Sequence, residues 1–231
     1  MSKPDPLPGQ TVISEKAALT EQKIWDLPTR IFHWMLVLCF AGAWLTAESE
    51  RTQLLHLMLG YCAGALVLWR VVWGLVGSRY ALFSDFVRSP AVALRYLQGY
   101  LPGSKLDTAR RYLGHNPAGG WAVLGLMALM AAAVASGWWA YQSGAPDVAG
   151  EAHEVLSHAL LILIGLHIVA VIFTGFMHGE NLVRAMLTGR KRALPEQGIR
   201  SSHRFIGLAV FAAVTWLGWA LYTGRLPGLT A

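Results

Sequence analysis

The chain has 231 residues, of which 55% are hydrophobic and 14% charged, with ten Trp and a mean hydropathy of +0.43. Soluble proteins carry about 25% charged residues, so this composition excludes an ordinary soluble domain and describes an integral membrane protein. The formal net charge of +6 needs no nucleic-acid partner, because the Lys and Arg residues gather in connections between apolar segments, as membrane topology requires.

Residues 1–24 hold three prolines near the start and mixed charges, without the apolar core of a signal peptide, and are expected to form a short, mobile cytoplasmic tail. A bilayer core about 30 Å thick needs roughly 20 apolar residues per helix. Five segments qualify, at 29–47, 54–76, 119–141, 155–177 and 205–222. The first carries His33 in RIFHWMLVL and the second His56 in LLHLMLGY, with Gly60 four residues further on. Cys39 and Cys62 fall inside these spans without CxxC or CxxCH spacing, so they read as small core residues.

The connection at 77–114 spaces Val92, Leu94, Leu97 and Leu101 among Arg and Tyr, the pattern of a short helix in the membrane interface. The fourth span opens on HEVLSHALLILIGLH, and a basic connection with Gly, Pro and Ser breakers leads to the fifth. Trp25, Trp34, Trp73, Trp121, Trp138, Trp139 and Trp219 stand near span ends, where indole rings act as interfacial anchors. Four Lys or Arg precede residue 33, six lie at 77–114 and six at 178–204, against Arg51, none and Arg225 in the other connections and the C-terminal end. This places the N-terminus in the cytoplasm and the C-terminus outside.

His153 and His167 are fourteen residues apart, which on a helix puts them on one face about 21 Å apart along the axis. Depth pairs His33 with His167 near the cytoplasmic side and His56 with His153 near the outer side. A single intramembrane His is commonly a hydrogen-bonded packing residue, but two depth-matched pairs suit the iron of two b-type haems. Zinc would want four neighbouring ligands rather than two distant pairs. Gly60, Gly165 and Gly42 could let a flat macrocycle approach, or serve helix packing. His158 lies about 140° from His153 and is expected to hydrogen-bond another helix. His178 returns to the face of His167 at the membrane edge, placed for a haem propionate, a quinone or no special role. His203 reads as structural.

WDLPTRIFHW at 25–34, LLHLMLGYCAGALVLWRVVWGLVGSRY at 54–80, GHNP at 114–117 and HEVLSHALLILIGLH at 153–167 together resemble the bacterial cytochrome b561 superfamily, close to the b-type cytochrome subunits of nickel-iron hydrogenases. The resemblance covers the first four spans. It implies an all-α membrane protein in which a four-helix core at 25–178 holds two haem b groups, with His33, His56, His153 and His167 as axial ligands. Residues 179–231 then form a basic connection and a fifth transmembrane helix, a departure from shorter members that suits a partner contact or a homodimer interface. It further implies electron transfer across the bacterial inner membrane, within a respiratory chain, between the quinone pool and a periplasmic partner such as cytochrome c or a hydrogenase on a separate chain.

Side chains would place and tune the haems rather than make bonds. Arg30, Arg70, Arg79 and Arg111 are candidates for haem propionates or quinone oxygens, or are topology charge alone. His115, Asn116 and His178 form the first candidate quinone cluster. Glu48, Glu50, Asp147, Glu151 and Glu154 against Arg51 make an outer acidic patch suited to a basic carrier, or a solvated loop surface. Two alternatives stand beside this reading: a superoxide oxidase delivering electrons to ubiquinone, which outer acidity disfavours, and a non-redox scaffold or proton-relay transporter.

Overall fold

The computed structural model describes residues 19–101 and 112–225. Strand β1 (Thr20–Lys23) leads into helix α1 (Leu27–Leu45), whose start is set by Asp26: its carboxylate accepts from the Thr29 amide at 2.7 Å, and Pro28 occupies the first turn. A short turn, Glu50–Thr52, precedes α2 (Gln53–Val76). Two small helices follow, α3 (Phe83–Phe86) and α4 (Pro90–Gln98). Helix α5 (Pro117–Ala140) is capped by Asn116, whose Oδ1 accepts from Gly119 N at 2.6 Å. Helix α6 (Asp147–His178) ends at Gly179, with φ of 61°, a left-handed residue that glycine adopts without steric cost. Helix α7 (Leu182–Thr188), strand β2 (Arg190–Ala193) and α8 (Arg204–Tyr222) complete the described chain.

Among the described residues, four helices are long and apolar enough to cross a membrane: α2 with its preceding turn, α5, α6 and α8. Helix α1 matches α8 in length, at 19 residues, but carries Arg30 and His33 in its first two turns. Helices α1, α2 and α8 pack against one another, and α2 also packs on α5. Helix α6 lies along α5 and makes no comparably extended contact with α1 or α2. The core joins Phe32 and Cys39 of α1, Cys62 and Leu66 of α2, Met127 and Met130 of α5, Leu160 of α6, and Val214 of α8.

Four expectations change. The chain is not wholly helical, because β1 and β2 form an antiparallel pair with Lys23 opposite Arg190. The segment before α1 is therefore not a free tail up to residue 24: β1 is paired and Ile24 is fully buried. Helix α6 begins at Asp147, two turns before the predicted span, so His153 sits inside the helix. Trp25 and Trp73 are buried and are not interfacial anchors, whereas Trp121, Trp138, Trp139 and Trp219 are exposed as anchors would be. The helix expected in the 77–114 connection is present as α4, with Val92, Leu94 and Leu97 exposed.

Three segments meet at one end. Tyr80 Oη donates to Gln197 O at 2.7 Å, and Lys191 Nζ donates to Tyr112 O at 3.0 Å and pairs with Glu180 at 2.9 Å. This end gathers Arg184, Arg190, Arg192 and Arg200 and is termed the basic end; Glu48, Glu50, Asp147 and Glu151 mark the opposite, acidic end.

Candidate cofactor site

Towards the acidic end, His56 of α2 and His153 of α6 face each other with ring centroids 6.0 Å apart and planes at 90°. His56 Nδ1 lies 2.9 Å from Ala43 O of α1, and His153 Nδ1 lies 2.8 Å from Ala133 O of α5. A carbonyl only accepts, so each Nδ1 carries a proton, and Nε2 is the nitrogen left available to a metal. That is how ligating imidazoles are commonly oriented. Two metal–nitrogen bonds of about 2 Å, plus about 1.2 Å from each nitrogen to its ring centre, span about 6.4 Å, close to the observed separation. The pair thus fits one metal ion held between two imidazoles.

Gly137 of α5 supplies the space for His153. A Cβ there would stand 2.9 Å from both Cε1 and Nδ1 of the imidazole, closer than side chains approach without displacement. Sequence reasoning missed Gly137; its only trace is a glycine near the end of the third span, at the depth of His153. A Cβ at Gly60 or Gly165 would meet nothing within 4 Å, so open space lies beside both. Gly42 instead seats Leu59, whose Cδ1 would lie 2.7 Å from an added Cβ, and serves helix packing.

Towards the basic end, His33 of α1, His167 of α6 and Arg70 of α2 all lie close enough to His115, ahead of α5, to influence it electrostatically. His115 sits between Trp25 and Phe86, with ring centroids at 5.0 and 4.4 Å. Burial pushes its imidazole down to about 3, and the nearby Arg70, His167, Lys191 and His33 add to the effect. His115 is therefore neutral. The Arg70 guanidinium is enclosed by the rings of Phe83, Phe86 and Phe32, at 5.0, 5.8 and 6.0 Å, and donates from Nη2 to Ala81 O at 3.0 Å. His33 Nδ1, His115 Nδ1 and Arg70 Nη1 are sealed from solvent without a hydrogen-bond partner. Buried polar groups in this state are rare, and three together fit a bound group that brings acceptors. Haem, with an aromatic plane and carboxylates, has that chemistry.

The remaining predicted residues lie elsewhere. Arg30 donates from Nε to Met186 O at 3.3 Å and from Nη2 to Leu187 O, so it ties α1 to the end of α7 rather than to the histidines. Arg79 is exposed, its guanidinium 5.3 Å from the Tyr80 ring. Arg111 lies outside the described residues. Asn116 and His178 line one cleft with Tyr96 and Glu180, but His115 is not on it, and the cap interaction already occupies Asn116 Oδ1. The cleft offers about 40 Å³, room for two or three waters and not for a quinone ring. His158 Nδ1 bonds Glu154 O of its own helix at 2.9 Å, not another helix, with its ring edge against Trp44. His203 takes a left-handed conformation before α8, with φ of 48°, and lies edge-on to Trp73.

Beside the small cleft, a groove of about 610 Å³ opens between the end of α6 and α7, with Ile172, Phe176 and Leu187 exposed along it and Glu180 and Asn181 at its polar end. Among the described residues no three or more His, Cys, Asp or Glu side chains converge as a metal cluster; the histidines occur as the groups described above.

The sequence profile of prokaryotic cytochrome b561 matches residues 24–189, which include all four predicted haem ligands. No curated protein and no solved structure matches the chain.

Proposed function

We propose, for a chain that belongs to the prokaryotic cytochrome b561 family, a pathway of two b haems carrying electrons between the quinone pool and a redox partner across the bacterial inner membrane. The family's membership makes the protein a membrane b-type cytochrome that binds haem b and transfers electrons. One haem would lie between His56 and His153 and the other between His33 and His167. Held by two imidazoles, haem b supplies a one-electron iron couple with no open coordination position for oxygen.

The observation that carries this reading is the acidic-end pair: opposed imidazoles at a ring separation of 6.0 Å, each with Nδ1 held by a carbonyl of a neighbouring helix. Those carbonyls fix tautomer and ring direction, while Gly137 keeps room for the His153 ring. At the basic end, Arg70 Nη1 would pair with a haem carboxylate and so end its buried, unsatisfied state.

Strand pairing supports the proposed topology. Because β1 pairs with β2, the residues before α1 and after α7 lie at one end. With α1, α2, α5 and α6 between them, an even number of crossings is needed, which supports α1 as a span. The positive-inside rule then assigns the basic end to the cytoplasm, and α8 takes the C-terminus outside. We place the quinone in the open α6–α7 groove, whose lining is mostly apolar, rather than at the expected His115–Asn116–His178 cluster. The outer carboxylates suit a basic electron carrier and would repel superoxide, so the electron-carrier role is preferred to superoxide oxidation.

The test is haem content per chain by pyridine haemochrome assay. Wild type should carry two haems, and His153→Ala and His167→Ala should each retain one, with different residual spectra. One haem or none in the wild type, or variants equal to it, would return the histidines to packing roles.

A further inference from the structure

The electron pathway leaves His115 without a task, yet its surroundings hold it firmly. Ahead of it, Lys191 Nζ of β2 donates to Tyr112 O at 3.0 Å and to Leu113 O at 3.2 Å; directly after it, Asn116 caps α5. The Phe86 ring, itself buried, has its centre 4.4 Å from the His115 ring centre and 5.8 Å from the Arg70 guanidinium carbon. One aromatic wall thus brings an imidazole from ahead of α5 beside a cation from α2. Each carries a sealed nitrogen without a hydrogen-bond partner, Nδ1 on His115 and Nη1 on Arg70. Arg70 is only 2% exposed, and a guanidinium taken that far out of water calls for an anion. Asp26 is close enough to act on it electrostatically, but the Asp26 oxygens accept from Thr29 N, Trp73 Nε1 and Ser78 Oγ.

We propose that His115 and Arg70 form a two-donor seat for one carboxylate of the basic-end haem, with His115 Nδ1–H and Arg70 Nη1–H donating to it. The proposal rests on the haem reading above, which gives Arg70 a haem carboxylate, and it makes His115 the second donor. An anion suits the seat better than a quinone does. A carboxylate satisfies both sealed nitrogens and offsets the buried charge, whereas a quinone carbonyl accepts hydrogen bonds but is neutral. A neutral imidazole holds one proton, so as the Nδ1–H tautomer His115 donates without adding a second charge. Hydrogen bonds to an ionised acceptor are about twice as strong as neutral ones, and a site walled by Trp25, Phe32, Phe83 and Phe86 keeps water from competing for them. If His115 only fills the gap between Trp25 and Phe86, its ring suffices and its nitrogen is dispensable.

The experiment titrates the haem-depleted full chain with protohaem and with protohaem dimethyl ester, in which both carboxylates are blocked. Each site is followed by its visible spectrum, and His153→Ala identifies the basic-end one. At that site wild type should favour the free acid by about a hundredfold, roughly tenfold for each donor to a charged acceptor. His115→Phe keeps a ring between Trp25 and Phe86 but loses the donor; it should bind the acid about tenfold more weakly and the ester as wild type does. His115→Gln keeps an N–H and should retain most of the preference. His115→Met, which also lacks a donor, decides the matter if His115→Phe does not fold. Equal binding of acid and ester by wild type would overturn the seat while leaving the haem reading intact, as would a His115→Phe variant that weakens both forms alike or neither. A wild type that takes up no haem between His33 and His167 would overturn the haem reading, and the seat with it.

Discussion

At the acidic end, His56 and His153 each commit one ring nitrogen to a backbone carbonyl and face each other, whereas at the basic end His33 and His115 each keep a sealed ring nitrogen without a partner, beside an arginine in the same state. The first site is held by main chain, which fixes ligand direction before any cofactor arrives. The second is surrounded by side-chain charge, Arg70 with Asp26 close enough to influence it, and is completed by whatever brings acceptors. Geometry should therefore control the acidic-end site and electrostatics the basic-end one.

The sharpest way to break that contrast is Gly137→Ala. The new methyl would collide with the His153 ring, and haem affinity at that site should fall about ten- to a hundredfold while the other haem stays, as read by haem titration of the purified protein. Equal loss of both haems would mean that Gly137 supports the whole bundle. Next in size, Arg70→Gln should lower the midpoint potential of the basic-end haem by on the order of 50 mV, because a cation favours the reduced iron. Asp26→Asn, which keeps a side chain able to cap α1, should raise it. Redox titration that finds both shifts of one sign, or a shift at the acidic-end haem, would remove the electrostatic account.

Gly60→Ala sharpens the comparison further. Its Cβ would meet no protein atom within 4 Å, so a several-fold fall in acidic-end haem affinity, from crowding by one methyl, would show that the space belongs to the cofactor; unchanged affinity would show that it does not. The smallest effect belongs to Asn116→Ala, which should cost about 1 kcal/mol of stability through loss of the α5 cap and leave quinol reduction unchanged. A rise in KM for quinol would restore Asn116 to a quinone role.

Much of this arrangement was legible as spacing. Apolar run length located the helices, and the fourteen residues between His153 and His167 implied one face and two depths. Facts that depend on what lies opposite were not legible. Gly137 matters because of an imidazole on another helix, and Arg30 because the carbonyls of α7 end beside it. The strands TEQK and RKRA have too little apolar alternation to announce themselves, and their pairing rests on residues far apart in the chain. Trp25 and Trp73 stood near span ends as anchors do, but Trp73 Nε1 donates to the buried Asp26 carboxylate at 3.0 Å, a partner that position alone could not reveal.

The β1–β2 pair also has a place in time. Its two strands lie about 170 residues apart, so at about 5–20 residues per second of synthesis β1 waits roughly 10–30 s for its partner to emerge. The strands can join only if the helices between them have crossed the bilayer an even number of times. A helix left out during insertion would strand β2 on the far side, leaving β1 without a partner and Ile24 exposed. The small sheet can thus close only late, once the helices between its strands are in place.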